Sequence, residues 1–271
     1  MRFAVAAVCL FTSSRAFAGA YMEVADKDLA DTKAPPRTSK IWAQGGNTRM
    51  EANNGTVIFK SNVMYIVNDA DKKYMVIDKT AVDKMSKQMS QVRAQADEHM
   101  KNVPPEQRAK MEKMMAQNGL APPVSDPKPA RTLKQTSRTA SENGKSCAVW
   151  EAHEGDVKVQ ELCVAPMSAV AGSQELITAF KSVGNMFEGM KVPGQAVQAD
   201  PFQDFERLNG IPVVTRDFEG GKAVREHRLV TARAESVPAA SFEPPAGYKA
   251  EQMPTTFGES GTGGHHPGAR P

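Results

Sequence analysis

Apolar and polar residues alternate with a period of two along several stretches of the chain, which is typical of β-strands. Val57 and Phe59 share one side of a predicted strand, and Val63, Tyr65 and Val67 share one side of the next. Turn-forming residues separate these stretches, so the pattern predicts an antiparallel meander. The predicted strands lie within the segments GAYMEVAD, KIWAQGGNTRMEAN, GTVIFKSNVMYIVN and KKYMVID.

From Thr80 the apolar period changes to three and four residues, which predicts an amphipathic helix. Thr80 to Asp83 has the spacing of a capping box, and two prolines after Val103 interrupt the pattern before a second helix that Gly119 ends. We expect residues 80–119 to form an inserted helical hairpin, followed by a Pro-rich linker over residues 120–130. The apolar stripe of the hairpin consists of Val82, Met85, Met89, Val92, Ala96, Met100, Met111, Met114 and Met115.

Beyond the linker the chain returns to strand patterns, among them IPVVTRDF and AVREHRLVTA joined by the turn residues EGGK. A helix is predicted from about Ser173, with Phe180 and Val183 on its apolar side. The last residues, 258–271, offer nothing to bury and are predicted to be a disordered tail. With 271 residues in all, the chain is predicted to form one domain over residues 19–257.

The N-terminus has the features of a cleaved secretory signal peptide over residues 1–18. Arg2 precedes a short apolar run, and the small-residue pattern before cleavage ends near Ala18. We therefore predict a periplasmic protein. The formal net charge is +3, and loss of the leader removes two arginines, so the mature chain is near neutral. This balance does not favour nucleic acid as a partner, and we expect no transmembrane segment.

Two cysteines remain after the leader, and an exported protein encounters conditions in which disulfides persist. Cys147 and Cys163 lie in two predicted strands around a turn at Gly155. Folding the hairpin symmetrically about Gly155 places the two cysteines opposite each other, within disulfide reach. We predict a structural disulfide without a redox role, because the pair lacks the spacing of an oxidoreductase motif.

The methionines of the helical hairpin allow three interpretations. Thioether sulfurs, with His99 beside Met100, could bind Cu(I). Methionine at helical spacing also fills cores or forms an adaptable contact surface, which we consider the simpler interpretations. We predict no metal site and no cofactor. The mature sequence contains no nucleophile, zinc or phosphate-loop motif of the common kinds, so we expect no catalytic residues and no enzymatic activity.

Seven sequence motifs follow one another in a characteristic order between Tyr21 and Tyr248. They are YMEV, NTRMEAN, VMYIVNDADKKYMVID, PPEQRAKMEKMM, GKSCAVWEAHEGDVKVQELCVA, NGIPVVTRDFEGGKAVREHRLV and FEPPAGYKA. Their order resembles a bacterial exported family of domains of unknown function, which is similar to the LolA/LppX lipoprotein-carrier superfamily. The resemblance implies an α+β fold: a strongly curved antiparallel sheet, or half-open β-barrel, whose concave face is covered by helices.

These observations together predict a non-enzymatic periplasmic binding or carrier protein for a lipid, a lipoprotein or another apolar partner. Two alternatives stay open: a Met/His-rich copper-handling protein, and a structural envelope protein with a filled core. The predicted ligand groove is lined by Met85, Met89, Val92, Met111, Met114, Met115, Phe180 and Val183.

Overall fold

A computed structural model of the chain describes residues 19–31, 33–52, 55–101, 107, 129, 131–187 and 207–251. The predicted leader, most of the second helix of the predicted hairpin, and the predicted C-terminal tail lie outside the described residues. The predictions made for those segments therefore stay predictions.

Twelve strands, two α-helices and two short 3-10 helices, Met167–Ala169 and Ala239–Phe242, make up the regular structure of the described residues. The strands are β1 (Gly19–Asp28), β2 (Arg37–Gln44), β3 (Asn47–Ala52), β4 (Gly55–Lys60), β5 (Val63–Asn68), β6 (Lys73–Ile77), β7 (Arg131–Glu142), β8 (Lys145–Glu154), β9 (Val157–Pro166), β10 (Gly210–Glu219), β11 (Lys222–Glu235) and β12 (Lys249–Glu251). The helices are α1 (Lys79–Lys101) and α2 (Ser173–Phe187).

All twelve strands belong to one sheet, in the order β12-β6-β5-β4-β3-β2-β1-β11-β10-β9-β8-β7. Strands β1 to β6 form the antiparallel meander that the sequence predicts, and β7 to β11 form a second antiparallel run, in which β9 and β10 pair across the segment that contains α2. Pairing of β1 with β11 joins the two runs. The short strand β12 pairs in parallel with β6, which makes the sheet mixed.

The predicted fold class, an α+β half-open barrel with helices covering its concave face, is wrong. The described chain is predominantly strand, in a single mixed sheet whose outermost strands, β12 and β7, do not pair with each other. The sheet contacts of α2 fall mainly on β1, β2 and β3, while α1 contacts β6 and α2. A helix of 15 residues spans only about 22 Å, so it covers a few strands of such a wide sheet.

Strand alternation gives the meander two different faces. On the face that we call the helix side, α2 packs Leu176 and Ala179 against Ala20 and Ala43, all of them buried. The opposite face of β4 and β5 is covered by residues 236–248, the segment that follows β11. That cover is made of Val237 and Phe242 packed on Ile58 and Val67, with Trp42, Tyr65, Tyr74 and Tyr248 around them.

The first helix begins one residue earlier than the predicted capping box. The side chain of Asp78, not Thr80, caps it: the Asp78 carboxylate accepts a hydrogen bond of 2.8 Å from the backbone N–H of Ala81. Val82 is 1% exposed and anchors this first turn. The sequence signal was misleading because Asp78 and Thr80 are both good capping residues, and only the end of β6 decides between them.

Docking of α2 depends on a glycine immediately before the helix. Gly172 has a φ of +77°, and a Cβ placed there would lie 2.5 Å from the Cβ of Ala20 in β1. A side chain at this position would therefore strain the backbone and separate the helix from the sheet.

We expect Gly172→Ala to destabilise the protein by about 3 kcal/mol, from the left-handed backbone and the clash together. Gly144→Ala is the matched control, because Gly144 has a φ of +72° but a Cβ placed there would have no neighbouring atom within 4 Å. Gly144→Ala should lower the free energy of unfolding by about 1 kcal/mol, because only the left-handed backbone is unfavourable there. Urea unfolding of both variants measures the difference; equal losses would show that the contact with Ala20 does not matter.

Candidate functional site

A continuous row of apolar side chains crosses four strands on the helix side of the sheet. Met50 in β3 lies opposite Val57 in β4, Val57 lies opposite Ile66 in β5, and Ile66 lies opposite Met75 in β6. We call these four residues the apolar strip. At the β3 end, the next residue in register is Ile41 of β2. Four strands place the ends of the strip roughly 14 Å apart.

The strip is accessible to solvent at two of its members. Met50 is 39% exposed and Ile66 is 41% exposed, while Val57 and Met75 are half-buried. Isolated exposed apolar residues are common on protein surfaces, whereas these two belong to one apolar row on one sheet face. Ile41, in contrast, is only 7% exposed. The strip is therefore exposed at Met50 and Ile66, partly covered at Val57 and Met75, and ends at a buried residue.

Two further rows on the same face set the width of the strip. The row nearer the β2–β3 turn is largely buried, with Thr48, Phe59 and Ile77 each 7% exposed or less. The row on the other side is small or polar, and it consists of Ala52, Gly55, Asn68 and Lys73. Rows on one sheet face are about 7 Å apart, so the accessible apolar surface is one side chain wide.

The structure tests few members of the predicted groove. Met85 is half-buried on α1, and Met89 and Val92 fall on the same helix, although their side chains are not described. Phe180 and Val183 are half-buried on α2, and Phe180 packs against the main core. Met111, Met114 and Met115 lie outside the described residues. The predicted groove thus stays a prediction, and the sequence analysis missed the strip.

A signal for the strip does exist in the sequence. The segments GTVIFK, VMYIVN and KYMVI are apolar at successive positions, not only at alternate ones. Such runs are expected where both faces of a sheet are covered. Here one apolar set packs under residues 236–248, and the other contributes to the strip and to the buried row beside it.

Cys147 and Cys163 form the predicted disulfide, with their Cα atoms 5.3 Å apart, but the predicted register is wrong. Cys163 lies opposite Val149, because the hairpin turns over two residues, Gly155 and Asp156, and contains a bulge after Ala152. Both cysteines belong to the largest buried cluster. The bond therefore crosses between neighbouring strands diagonally.

Replacing both cysteines by serine should lower the free energy of unfolding by about 3 kcal/mol, since the bond closes a loop of about 15 residues. Urea unfolding of the oxidised protein and the double variant measures this difference. Thiol titration of the native chain from residue 19 onward provides the second readout. Two reactive thiols there would contradict the disulfide.

A pocket of about 210 Å³ lies beside Cys163, and ionic side chains line it. Arg138 donates to Glu161 at 2.9 Å, and Arg216 donates to Glu226 at 2.8 Å. Burial acts to raise the pKa of Glu161, but Arg138 and Lys158 outweigh it and hold that pKa below its usual range. These ionic groups neutralise one another, so we interpret the pocket as part of a structural network rather than a reaction centre.

His227 bridges three strands on a different part of the sheet. Its Nδ1 lies 3.2 Å from a carboxylate oxygen of Asp26 in β1, and its Nε2 lies 3.3 Å from Asp217 in β10. The hydrogen bond to Asp217, with Asp26 in support, raises the pKa of His227 against the opposing effects of burial and Arg225. The same bond, with a second from Gln160, lowers the pKa of Asp217.

These shifts predict a pH dependence of stability. The raised pKa of His227 stabilises the fold fully below about pH 6.5, and this contribution is lost as the pH rises through the folded-state value. The lowered pKa of Asp217 stabilises the fold above about pH 4, and this contribution is lost as the pH falls. The free energy of unfolding of the parent protein, measured with urea, should therefore decline between pH 6 and 9. In His227→Asn this decline should be smaller. An unchanged decline would contradict the role of His227.

Neither a metal cluster nor a membrane-spanning helix occurs in the described part of the chain. Its His, Cys, Asp and Glu side chains form no group of three or more that could hold a metal ion. Neither α1 nor α2 is long and apolar enough to cross a membrane.

Comparison with known proteins gives structural similarities only. No protein-family model matches the chain, and no curated protein matches it in sequence. An uncharacterized conserved protein from Thermus thermophilus is 6% identical, with a TM-score of 0.42 over 88% of this chain and 91% of the other. MucB, in the Pseudomonas aeruginosa MucA/MucB complex, is 10% identical, with a TM-score of 0.35 over 82% of this chain.

The chain spans 53% of that MucB chain. A LolA superfamily protein from Nitrosomonas europaea is 9% identical, with a TM-score of 0.28 over 84% of this chain and 90% of the other. A LolA superfamily protein is thus among the similar structures, but a similarity of this size does not test the predicted resemblance. These low values assign neither a family nor a function to the chain.

Proposed function

We propose that this protein is a non-enzymatic, exported binding or carrier protein that holds an apolar ligand on the apolar strip. The observation that carries the proposal is the exposure of Met50 and Ile66 within a row that is apolar across four strands. Removing apolar surface from water stabilises a complex by roughly 25 cal/mol for each Å². A ligand that covers the strip therefore gains binding free energy.

The dimensions of the strip favour an acyl chain of a lipid or lipoprotein over a protein surface. At roughly 14 Å by 7 Å the strip offers about 100 Å² in projection, whereas a stable protein interface buries about 800 Å² on each partner. An amphipathic helix, about 10 Å across, is wider than the strip. A single extended hydrocarbon chain needs only a narrow apolar track.

The side chains of the strip suit a ligand of variable structure. Met50 and Met75 are unbranched and polarisable, so they adjust to an irregular apolar surface at little cost. The row beside them on the same face borders the strip with a fixed side chain, because Phe59 is 2% exposed and cannot be displaced easily. The strip therefore combines adaptable contacts with a fixed edge.

Two features support an exported, periplasmic location. The disulfide between Cys147 and Cys163 is of a kind that persists in oxidising compartments. The predicted leader over residues 1–18 has the pattern of a secretory signal. The mutual pairing of ionic side chains around the pocket beside Cys163 supports a structural role for that pocket, and the absence of enzymatic activity stays part of the proposal.

The proposal is tested by placing a charge on the strip. Ile66→Glu should weaken binding of a fluorescent long-chain fatty acid at least tenfold, since covering an isoleucine contributes about 1.5 to 3 kcal/mol. Val157→Glu is the matched control, because Val157 is 60% exposed but lies in β9, away from the strip. Fluorescence titration of the three proteins measures the affinities.

Native mass spectrometry of the protein purified without detergent provides an independent readout. A lipid-sized adduct that organic solvent releases, and that Ile66→Glu lacks, would support the proposal. A parent protein that carries no adduct and also ignores added fatty acid would overturn it and favour a structural envelope protein.

A further inference from the structure

The β6 end of the apolar strip meets a charged corner of the sheet. In the parallel pair of β6 and β12, Glu251 lies beside Met75, and Lys249 lies beside Lys73. Residues paired in register share a face, so all four lie on the helix side. The strip therefore continues directly into ionic side chains at this end.

Cations exceed anions among the β6 and β12 residues of this corner. The ammonium group of Lys73 contacts the carboxylate of Glu251 at 2.5 Å, which leaves Lys249 as a second cation on the same face. In the preceding turn, the Asp71 carboxylate accepts a hydrogen bond of 2.8 Å from the side-chain amide of Asn68, and its negative charge also acts on Lys73. Lys73 and Glu251 are both accessible, with side chains 42% and 53% exposed.

The two ends of the strip thus differ in chemistry. At the β3 end the strip stops at Ile41, which is 7% exposed and belongs to the core beneath α2. A polar group there would lose its hydration without finding a partner, at a substantial cost in free energy. An amphiphile on the strip therefore lies in one orientation, with its apolar end toward Ile41 and its polar end toward Lys73.

We propose that the corner formed by Lys73, Lys249 and Glu251 recognises an anionic head group, so that the strip selects single-chain amphiphiles ending in a carboxylate or a phosphate. This inference rests on the proposed function and specifies the polar part of the ligand. An anionic head group pairs with Lys73 in place of Glu251 and gains Lys249 as a second cation. Glu251 acts as an intramolecular competitor, which keeps Lys73 paired when the strip is empty.

Three soluble probes with the same alkyl length test the selectivity: dodecanoate, dodecyl phosphate and monolauroylglycerol, which has a neutral head group. The double variant Lys73→Gln with Lys249→Gln should bind both anionic probes about tenfold more weakly and the neutral probe unchanged. Glu251→Gln should bind the anionic probes about threefold more tightly, because the competitor has lost its charge. Calorimetric titration of each variant measures these affinities.

The Lys60–Glu243 ion pair offers a matched control on the opposite face of the sheet. Lys60→Gln and Glu243→Gln should leave the affinities for all three probes unchanged. The preference of the parent protein for anionic probes should also decrease as salt is added, since the corner is exposed. Circular dichroism confirms that each variant is folded.

The outcomes separate this inference from the function on which it rests. If the double variant binds all three probes as the parent does, head-group recognition is overturned while the strip remains a binding site. If only one of the two anionic probes responds to the variant, the corner recognises that group alone. If the parent protein binds none of the probes, both the inference and the proposed function fail.

Discussion

The pairing of β1 with β11 is the interaction on which the rest of the structure depends. Strands separated by about 200 residues in sequence align in register from Gly19 opposite Glu235 to Asp28 opposite Arg225. A bulge after Glu23 leaves Val230 without a partner in β1, and Val230 is 48% exposed. The two antiparallel runs would otherwise be separate sheets, each with an additional unpaired edge. Joined, they form a continuous face on which α2 can pack.

The position of α2 then determines which part of that face is accessible. Gly172 allows the helix to approach Ala20 closely, and Glu175 fixes it to the β2–β3 turn by accepting a hydrogen bond of 3.0 Å from the N–H of Gly45. The helix contacts β1 to β3, while the strip extends across β3 to β6. On the opposite face, residues 236–248 pack on the same meander. A sheet that is apolar on both faces is thus covered more completely on one face than on the other.

Charge is distributed differently in the two halves of the sheet. In the β7–β11 half, arginines and glutamates such as Arg216 and Glu226 pair with one another, so the charges stabilise local geometry and leave little net field. At the β6–β12 corner, Lys73, Lys249 and Glu251 lie beside the apolar strip, with Asp71 in the turn before β6. The paired charges of the β7–β11 half are typical of structural networks. The charges of the corner differ in that they lie next to an exposed apolar row, which is the combination that the proposed amphiphile binding requires.

The sequence by itself determined the local elements of this protein. The period of two predicted the strands of the meander, the period of three and four predicted helices near residues 80 and 173, and the two cysteines predicted a disulfide. These are short-range properties, because they depend on which side chains a strand or helix places on one side. The sequence did not give the hairpin register, since a bulge and a two-residue turn shift Cys163 to face Val149. One added residue in a strand changes the pairing without changing the apolar pattern.

Only the tertiary structure decided the fold class and the candidate site. Whether strands close into a barrel, and where the helices lie on them, depends on contacts such as those between β1 and β11, which link distant parts of the chain. The strip arises in the same way, because Met50, Val57, Ile66 and Met75 belong to four strands and become neighbours only in register. Each of these residues, taken alone, is of a type that is also common in a buried core. Their exposure follows from the position of α2, which no local pattern specifies.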